Sequence, residues 1–261
     1  MLAVRSAFSG PTVSEVLEDD FVAVARSAYA NQVAAECKVG LDRVVVLPSP
    51  VLSLAWWEKS CGLPETAFPQ RDCIVLGMMG RDGPDQQTIL AAIETSSVLR
   101  GMPFVVLNGE EYRQPSKHDF YQRLLALGAT FVELSYGGQH GITQIELLQL
   151  MRRAVLLITG NSGTTLPMAL FEDCAPTLWW HTAAPPFSIY PELYAVAKRY
   201  NVDIDNSQGS VGVDRLREVM ERLLLDWSLR KRFVDDCKAT FSEHLPDQSL
   251  RYFRDMERRF V

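Results

Sequence analysis

From residue 73 to residue 180 the sequence alternates regularly between short apolar segments and segments with helical periodicity. Five apolar segments predict strands, at residues 73–77, 104–108, 130–134, 155–159 and 176–180. The segments between them predict helices, at residues 85–100, 116–127, 143–153 and 165–172. Strands that alternate with helices of this length favour a parallel sheet covered on both faces, and near-continuous apolar strands agree with that burial. We therefore predict an α/β fold built on a Rossmann-like parallel sheet.

The sequence outside this region predicts a small first lobe and a helical tail. Residues 21–25 and 43–47 predict strands, with a helix at 28–38 between them, and prolines after them mark a linker. We assign residues 1–70 to a shortened first lobe with its linker, and residues 71–261 to the main domain. The tail of the main domain predicts four helices, at residues 191–200, 213–225, 228–242 and 247–259.

The charge and the cysteines argue against several classes of protein. The formal net charge is −6, so no basic field predicts binding to nucleic acid or to an anionic membrane. The five cysteines include no Cys-x-x-Cys pair and predict reduced core thiols of a cytoplasmic protein, with no metal site. No apolar run approaches about 18 residues, which predicts that no segment spans a membrane.

The loop after the first strand of the main domain, at residues 77–87, combines three glycines with one arginine. Glycines such as Gly80 let backbone N–H groups approach a phosphate, and Arg81 can donate to two phosphate oxygens. The same residues also fit a plain turn with a solvated arginine, and this alternative stays open. The spacing fits neither the dinucleotide-binding Gly-x-Gly-x-x-Gly pattern nor a P-loop.

Two more glycine-bearing loops follow strands of the same predicted sheet. The loop at 135–141 carries His140, which can hydrogen-bond a phosphate or a base, act as a general base, or simply lie on a polar surface. The next loop can form an anion cradle or a helix cap that binds nothing. Its candidate ligands are Gly160, Ser162, Gly163, Thr164 and Thr165. Because ligands of open parallel sheets bind beyond the carboxyl ends of the strands, three such loops predict a phosphate-bearing ligand.

Residues 155–180, VLLITGNSGTTLPMALFEDCAPTLWW, resemble the donor-binding segment of GT-B glycosyltransferases. In that family a strand leads through a loop of small residues into a helix, and a short turn leads into the next strand. The sequence SGTT is similar to this loop in the peptidoglycan N-acetylglucosaminyltransferase family, and its flanks resemble heptosyltransferases. IVLGMMGR, at residues 74–81, resembles the first donor-lobe strand with its phosphate-contacting arginine, and residues 214–244 are similar to the closing helices.

The resemblance implies a glycosyltransferase whose donor substrate is a nucleotide diphosphate sugar and which uses no further cofactor. Arg81, with Gly80 beside it, would face the diphosphate. The loop at 160–165 would also face phosphate, and His140 would lie near the base. The acceptor and the residue that deprotonates it stay unassigned. A whole acceptor lobe needs over about 100 residues, so we expect that lobe to be missing, shortened or supplied by a partner chain.

Two departures from the family pattern keep other functions open. Many members carry a glutamate in the helix after the small-residue loop, whereas residues 167–170 hold no carboxylate and the first one is Glu172. Many members also carry a lysine shortly after the arginine, where this chain has Gln86. The alternatives are a non-catalytic relative that keeps the sheet and binds a partner protein, and a sugar-nucleotide epimerase of similar fold.

Overall fold

The structure is a computed structural model, and it divides the chain into two compact units. One unit consists of Met1–Trp56 with Phe241–Val261, and the other consists of Trp57–Thr240. The predicted domain boundary between residues 70 and 71 stays a prediction. The structure describes residues 2–4, 21–24, 34–35, 38, 40–46, 58, 71–77, 86–107, 118–133, 141–159, 165–180, 191–206 and 212–240.

The first unit contains a three-stranded parallel sheet. Its strands are β1 (Leu2–Val4), β2 (Phe21–Val24) and β3 (Val44–Val46), paired in that order, and a single 3-10 turn at Leu41–Arg43 leads into β3. The two strands predicted in this part of the sequence are confirmed. Strand β1 was not predicted, because three residues are too short to show a period. Most of the predicted helix at 28–38 lies outside the described residues.

The second unit is built on a five-stranded parallel sheet, which confirms the predicted fold class. Its strands pair in the order β6-β5-β4-β7-β8, so the chain starts in the centre, moves to one side and then returns to the other. The strands are β4 (Cys73–Leu76), β5 (Phe104–Leu107), β6 (Thr130–Val132), β7 (Ala154–Ile158) and β8 (Ala175–Pro176). Every described residue of β4 and β7 is buried, as expected of central strands covered on both faces.

Helices connect successive strands of this sheet. They are α1 (Gln86–Thr95), α2 (Ser97–Arg100), α3 (His118–Ala126), α4 (Gln144–Arg153) and α5 (Thr165–Phe171). The single helix predicted at 85–100 is wrong, since the chain breaks at the buried Ser96. The Ser96 hydroxyl accepts a hydrogen bond from the N–H of Leu99 at 3.1 Å and so caps a second helix.

A second correction concerns the strand predicted at 176–180. The chain instead forms two short strands separated by Thr177: β8 completes the main sheet, and β9 (Leu178–Trp180) pairs in parallel with β10 (Asp203–Asp205). Thr177 lies between the two strands, and both its N–H and its hydroxyl donate to the carbonyl of Leu157. Strand β10 was not predicted, since acidic residues flank its one apolar residue.

Three further helices cover the second unit, and they follow the predicted tail closely. They are α6 (Pro191–Arg199), α7 (Val213–Leu225) and α8 (Trp227–Thr240). Along α7 the buried residues Leu216, Val219, Met220 and Leu223 recur at intervals of three or four, which places them on one face toward the core. The helix predicted at 247–259 lies outside the described residues. No helix in the described ranges is long and apolar enough to cross a bilayer.

Candidate functional site

The centre of the main sheet contains the position at which strand order reverses. The chain passes from β4 outward to β5 and β6, then returns to place β7 on the other side of β4. Leu76 and Ile158, the last residues of β4 and β7, are partners in the register of these two strands. In open α/β sheets the crevice outside such a reversal, at the carboxyl ends of the strands, is the usual place for a ligand.

The first residues after these two strands, Gly77 and Thr159, lie in direct contact. The N–H of Gly77 donates to the carbonyl of Ile158 at 2.7 Å. A Cβ atom placed on Gly77 would lie 2.9 Å from Thr159 Oγ1 and 3.0 Å from Thr159 Cβ. Only glycine therefore fits without a shift, and the last described residues before the segments 78–85 and 160–164 lie side by side.

The hydroxyl of Thr159 is a buried polar group at this position. Thr159 is 1% exposed, and Oγ1 has no hydrogen-bond partner in the described part of the chain. A buried polar group without a partner costs about 1–3 kcal/mol, so proteins rarely keep one without a use. Thr159 was not among the predicted site residues, although a threonine between an apolar strand and a glycine-bearing loop is a signal in the sequence that marks it.

Among the residues predicted to contact the donor, the structure describes Thr165. It is the first residue of α5, is 8% exposed, and follows the loop that leaves β7. Thr165 therefore lies at the same edge as Gly77 and Thr159. The other predicted contact residues lie outside the described residues and stay predictions: Gly80, Arg81, His140, Gly160, Ser162, Gly163 and Thr164.

The structure describes Glu133 and Gly141, the residues on either side of the loop that carries His140. The N–H of Ile142 donates to the carbonyl of Glu133 at 2.8 Å and closes the loop just beyond β6. Gly141 has a φ of 110°, which L side chains rarely adopt, so this glycine is needed for the closure. Neighbouring strands lie about 4.8 Å apart, which places the end of β6 about 10 Å from β4 and about 15 Å from β7.

The first carboxylate after the small-residue loop, Glu172, lies at the opposite edge of the sheet. It follows the last residue of α5 and is 4% exposed. Arg152 Nε donates to Glu172 Oε2 at 2.7 Å, and Arg152 Nη1 donates to Glu58 Oε1 at 2.7 Å. Glu172 is therefore part of a buried ion-pair cluster and does not replace the glutamate that many GT-B members carry near the donor.

The arginine of this cluster is held in its charged form. Burial alone would lower the pKa of Arg152, but the hydrogen bonds and charges of Glu172 and Glu58 raise it above its ordinary value. The cluster joins the end of α4 to the end of α5. It therefore anchors the end of α5, the helix that begins at the carboxyl edge.

The described cysteines do not supply a nucleophile. Burial, together with the charge of Asp72, raises the pKa of Cys73 to about 11. Burial also raises the pKa values of Cys174 and Cys237. Since the thiolate is the reactive form, these three thiols are inert at neutral pH and contribute to packing. The described part of this edge offers two chemical features: the close contact of Gly77 with Thr159, and the buried Thr159 hydroxyl.

Comparison with known proteins identifies solved structures that share this architecture. No protein-family model matches the sequence, and no curated protein was found to be similar to it. The solved structure of the glycotransferase of kitacinnamycin is 13% identical, with a TM-score of 0.50 over 91% of this chain and 54% of its own. UDP-GlcNAc 2-epimerase from Neisseria meningitidis, bound to UDP-GlcNAc, is 12% identical, with a TM-score of 0.51 over 82% of this chain and 55% of its own.

The chain spans about half the length of these two proteins. At 12% and 13% identity the likeness concerns the fold alone, and that fold serves a transferase in one case and an epimerase in the other. The parallel sheet, its strand order and these likenesses show that the chain has an α/β, Rossmann-like GT-B fold, as its resemblance to GT-B glycosyltransferases predicted.

Proposed function

We propose that this chain is a glycosyltransferase, or the donor-binding half of one, which transfers a sugar from a nucleotide diphosphate sugar to an acceptor. The observation that carries the proposal is the reversal of strand order between β4 and β7, where Gly77 is in contact with Thr159. Two loops rich in glycine leave the sheet at this position, and one of them carries Arg81. Such an arrangement suits a diphosphate, because backbone N–H groups can approach its oxygens closely.

In this proposal the chain promotes transfer by stabilising the nucleotide diphosphate as it departs. Arg81 and the N–H groups of the loops at 78–85 and 160–164 would donate to the oxygens on which negative charge develops. The hydroxyl of Thr159 would donate from the floor of the crevice. The acceptor and its base would come from the first lobe or from a partner chain.

The proposal is tested by isothermal titration calorimetry with a panel of nucleoside diphosphates. One of them should bind the wild-type chain, and Arg81→Ala should weaken that binding about tenfold or more, since it removes a charged donor to phosphate. Arg100→Ala is a matched control, because Arg100 is exposed at the end of α2 and precedes a strand at the amino edge. Equal affinities of wild type and Arg81→Ala would remove this assignment.

An epimerase is the second candidate, and the likeness to a UDP-GlcNAc 2-epimerase favours it. Epimerisation needs no acceptor, so NMR of a UDP-sugar incubated with the chain alone distinguishes the two. If a second epimer of the UDP-sugar forms while the first is consumed, the chain is an epimerase. A donor that changes only when an acceptor is present indicates a transferase.

A non-catalytic relative is the remaining alternative. It is favoured by the position of Glu172, whose carboxylate belongs to the cluster with Arg152 at the other edge. A thermal-shift screen tests it, because a ligand that binds only the folded chain raises the melting temperature. The same melting temperature with every nucleotide diphosphate and nucleotide sugar would favour the non-catalytic relative over both enzymes.

A further inference from the structure

A cavity opens at the amino edge of the main sheet, the edge opposite the candidate site. Arg71, two residues before β4, and Asp173, two residues after α5, both line it and so fix its position at this edge. Its volume is about 220 Å³, which is room for several water molecules at about 30 Å³ each. We call it the amino-edge cavity. The described residues that line it are Arg71, Asp173, Trp227, Arg230, Lys231, Val234 and Asp235.

The two carboxylates of the amino-edge cavity are already neutralised by lysines. Lys231 Nζ lies 2.6 Å from Asp235 Oδ2, one turn along α8. Lys238 pairs in the same way with Asp173. These four residues therefore contribute no net charge, and the charge of the cavity is set by its two arginines.

Both arginines are bonded to neutral backbone carbonyls. Arg71 donates from Nη1 to the carbonyl of Ala154 at 2.6 Å and from Nη2 to the carbonyl of Glu172 at 2.7 Å. Arg230 donates from Nη1 to the carbonyls of Leu223 and Leu224, at 2.9 and 3.0 Å. Neither guanidinium forms an ion pair with a carboxylate in the described ranges, and the two carboxylates that line the cavity, Asp173 and Asp235, are paired with lysines instead.

The two guanidiniums influence each other, since both line the same cavity. Burial lowers the pKa of Arg230, and the charge of Arg71 lowers it further. Two like charges at a half-buried site repel each other, and a bound anion would relieve that repulsion. Arg230 also has donors to spare, because a guanidinium carries five N–H groups and both bonds of Arg230 to described residues use Nη1.

We propose that the amino-edge cavity binds a dianionic phosphoryl group between Arg71 and Arg230. A phosphoryl group matches the charge of two guanidiniums, and Nε and Nη2 of Arg230 can donate to it as a pair. The bonds to backbone carbonyls already hold both side chains in place, so little conformational freedom is lost on binding. The site is independent of the donor crevice, since the two lie at opposite edges of the sheet.

The test is calorimetric titration of the whole chain with inorganic phosphate in a zwitterionic buffer. Wild type should bind phosphate, and Arg230→Gln should weaken that binding about tenfold or more. Arg232→Gln is the matched control: Arg232 lies on the same helix, is exposed, and bonds the carbonyl of Ser228 outside the cavity. Absence of phosphate binding to wild type, or equal weakening by the two variants, would overturn the proposal.

Two further variants keep the result unambiguous. Arg230→Lys retains the charge without the fork, so it should fold and bind phosphate with intermediate affinity even if Arg230→Gln does not fold. Arg81→Ala should leave phosphate affinity unchanged. If Arg81→Ala abolishes phosphate binding while Arg230→Gln retains it, phosphate binds at the donor crevice and the amino-edge site is rejected, whereas the glycosyltransferase proposal stands.

The same titration distinguishes free phosphate from a phosphate ester as the bound group. Inorganic phosphate and glycerol 3-phosphate present the same dianion, one free and one as a monoester. Tighter binding of glycerol 3-phosphate identifies a site for phosphate esters, with Trp227 available to contact the organic part. Tighter binding of inorganic phosphate identifies a site for the free ion. Either result supports the proposal, and failure of both ligands to bind contradicts it.

Discussion

At the scale of single residues, the contact between Gly77 and Thr159 defines the candidate site. Glycine is required at 77 because a Cβ atom there would lie within 3.0 Å of Thr159. The hydroxyl of Thr159 is buried at the same place without a partner in the described part of the chain. The sequence indicates the glycine. Whether the hydroxyl of Thr159 has a hydrogen-bond partner depends on which strand lies beside β7, and a single sequence does not show the order of the strands.

A substitution of Thr159 tests whether its hydroxyl serves a ligand. Thr159→Val keeps the shape and removes a buried group without a protein partner, so stability should stay equal or rise. Affinity for the nucleoside diphosphate that binds should fall several-fold, because the ligand loses a donor. Urea unfolding and calorimetry measure the two effects separately.

Thr177→Val is the matched control for that substitution. Thr177 is equally buried, but its hydroxyl donates to the carbonyl of Leu157 at 3.3 Å. Loss of this bond should cost about 0.5–1.5 kcal/mol of unfolding free energy, with nucleotide affinity unchanged. A Thr159→Val variant that is destabilised as much as Thr177→Val would show that Thr159 is already satisfied within the protein.

At the scale of elements, the ends of α4 and α5 are fixed by Arg152 between Glu172 and Glu58. The side chains of all three are at most 10% exposed, and both Arg152 bonds measure 2.7 Å. A buried charge is costly unless it is paired, so this cluster sets where α5 can end. Since α5 starts at the carboxyl edge, the same cluster influences where Thr165 lies.

Removal of the central arginine tests how much this cluster contributes to the free energy of unfolding. Arg152→Met takes away the cation that neutralises two buried carboxylates, and we expect a loss of about 3–5 kcal/mol of unfolding free energy. Arg153→Met is the control: its pair with Asp72 is about half exposed, so it should cost about 0–1 kcal/mol. Chemical denaturation of both variants measures the difference, and equal costs would contradict a structural role for the cluster.

The elements also show what the sequence can and cannot predict. The main strands and helices were predictable, because apolar runs and helical periods reflect burial directly. The divisions at Ser96 and Thr177 were not. The hydroxyl of Ser96 caps a second helix where the helical period alone would continue, and the apolar run at 176–180 does not show that its residues pair with two different strands. The cluster around Arg152 escaped prediction too, since its members are far apart in sequence.

At the scale of the molecule, the two edges of the main sheet have different chemistry. The carboxyl edge carries the Gly77–Thr159 contact and the Thr159 hydroxyl, while the amino edge carries two arginines that form no ion pair with described residues. The GT-B fold accounts for the first edge but does not itself choose between a transferase and an epimerase. The proposed function therefore needs a binding experiment beyond β4 and β7.

The most direct test is a crystal structure of the chain soaked with the nucleoside diphosphate that binds it in solution. Our account predicts diphosphate density beyond the ends of β4 and β7, within hydrogen-bond distance of Thr159 Oγ1 or of the backbone of the loops at 78–85 and 160–164. Density for the nucleotide at any other place on the molecule, with this crevice empty, would contradict it.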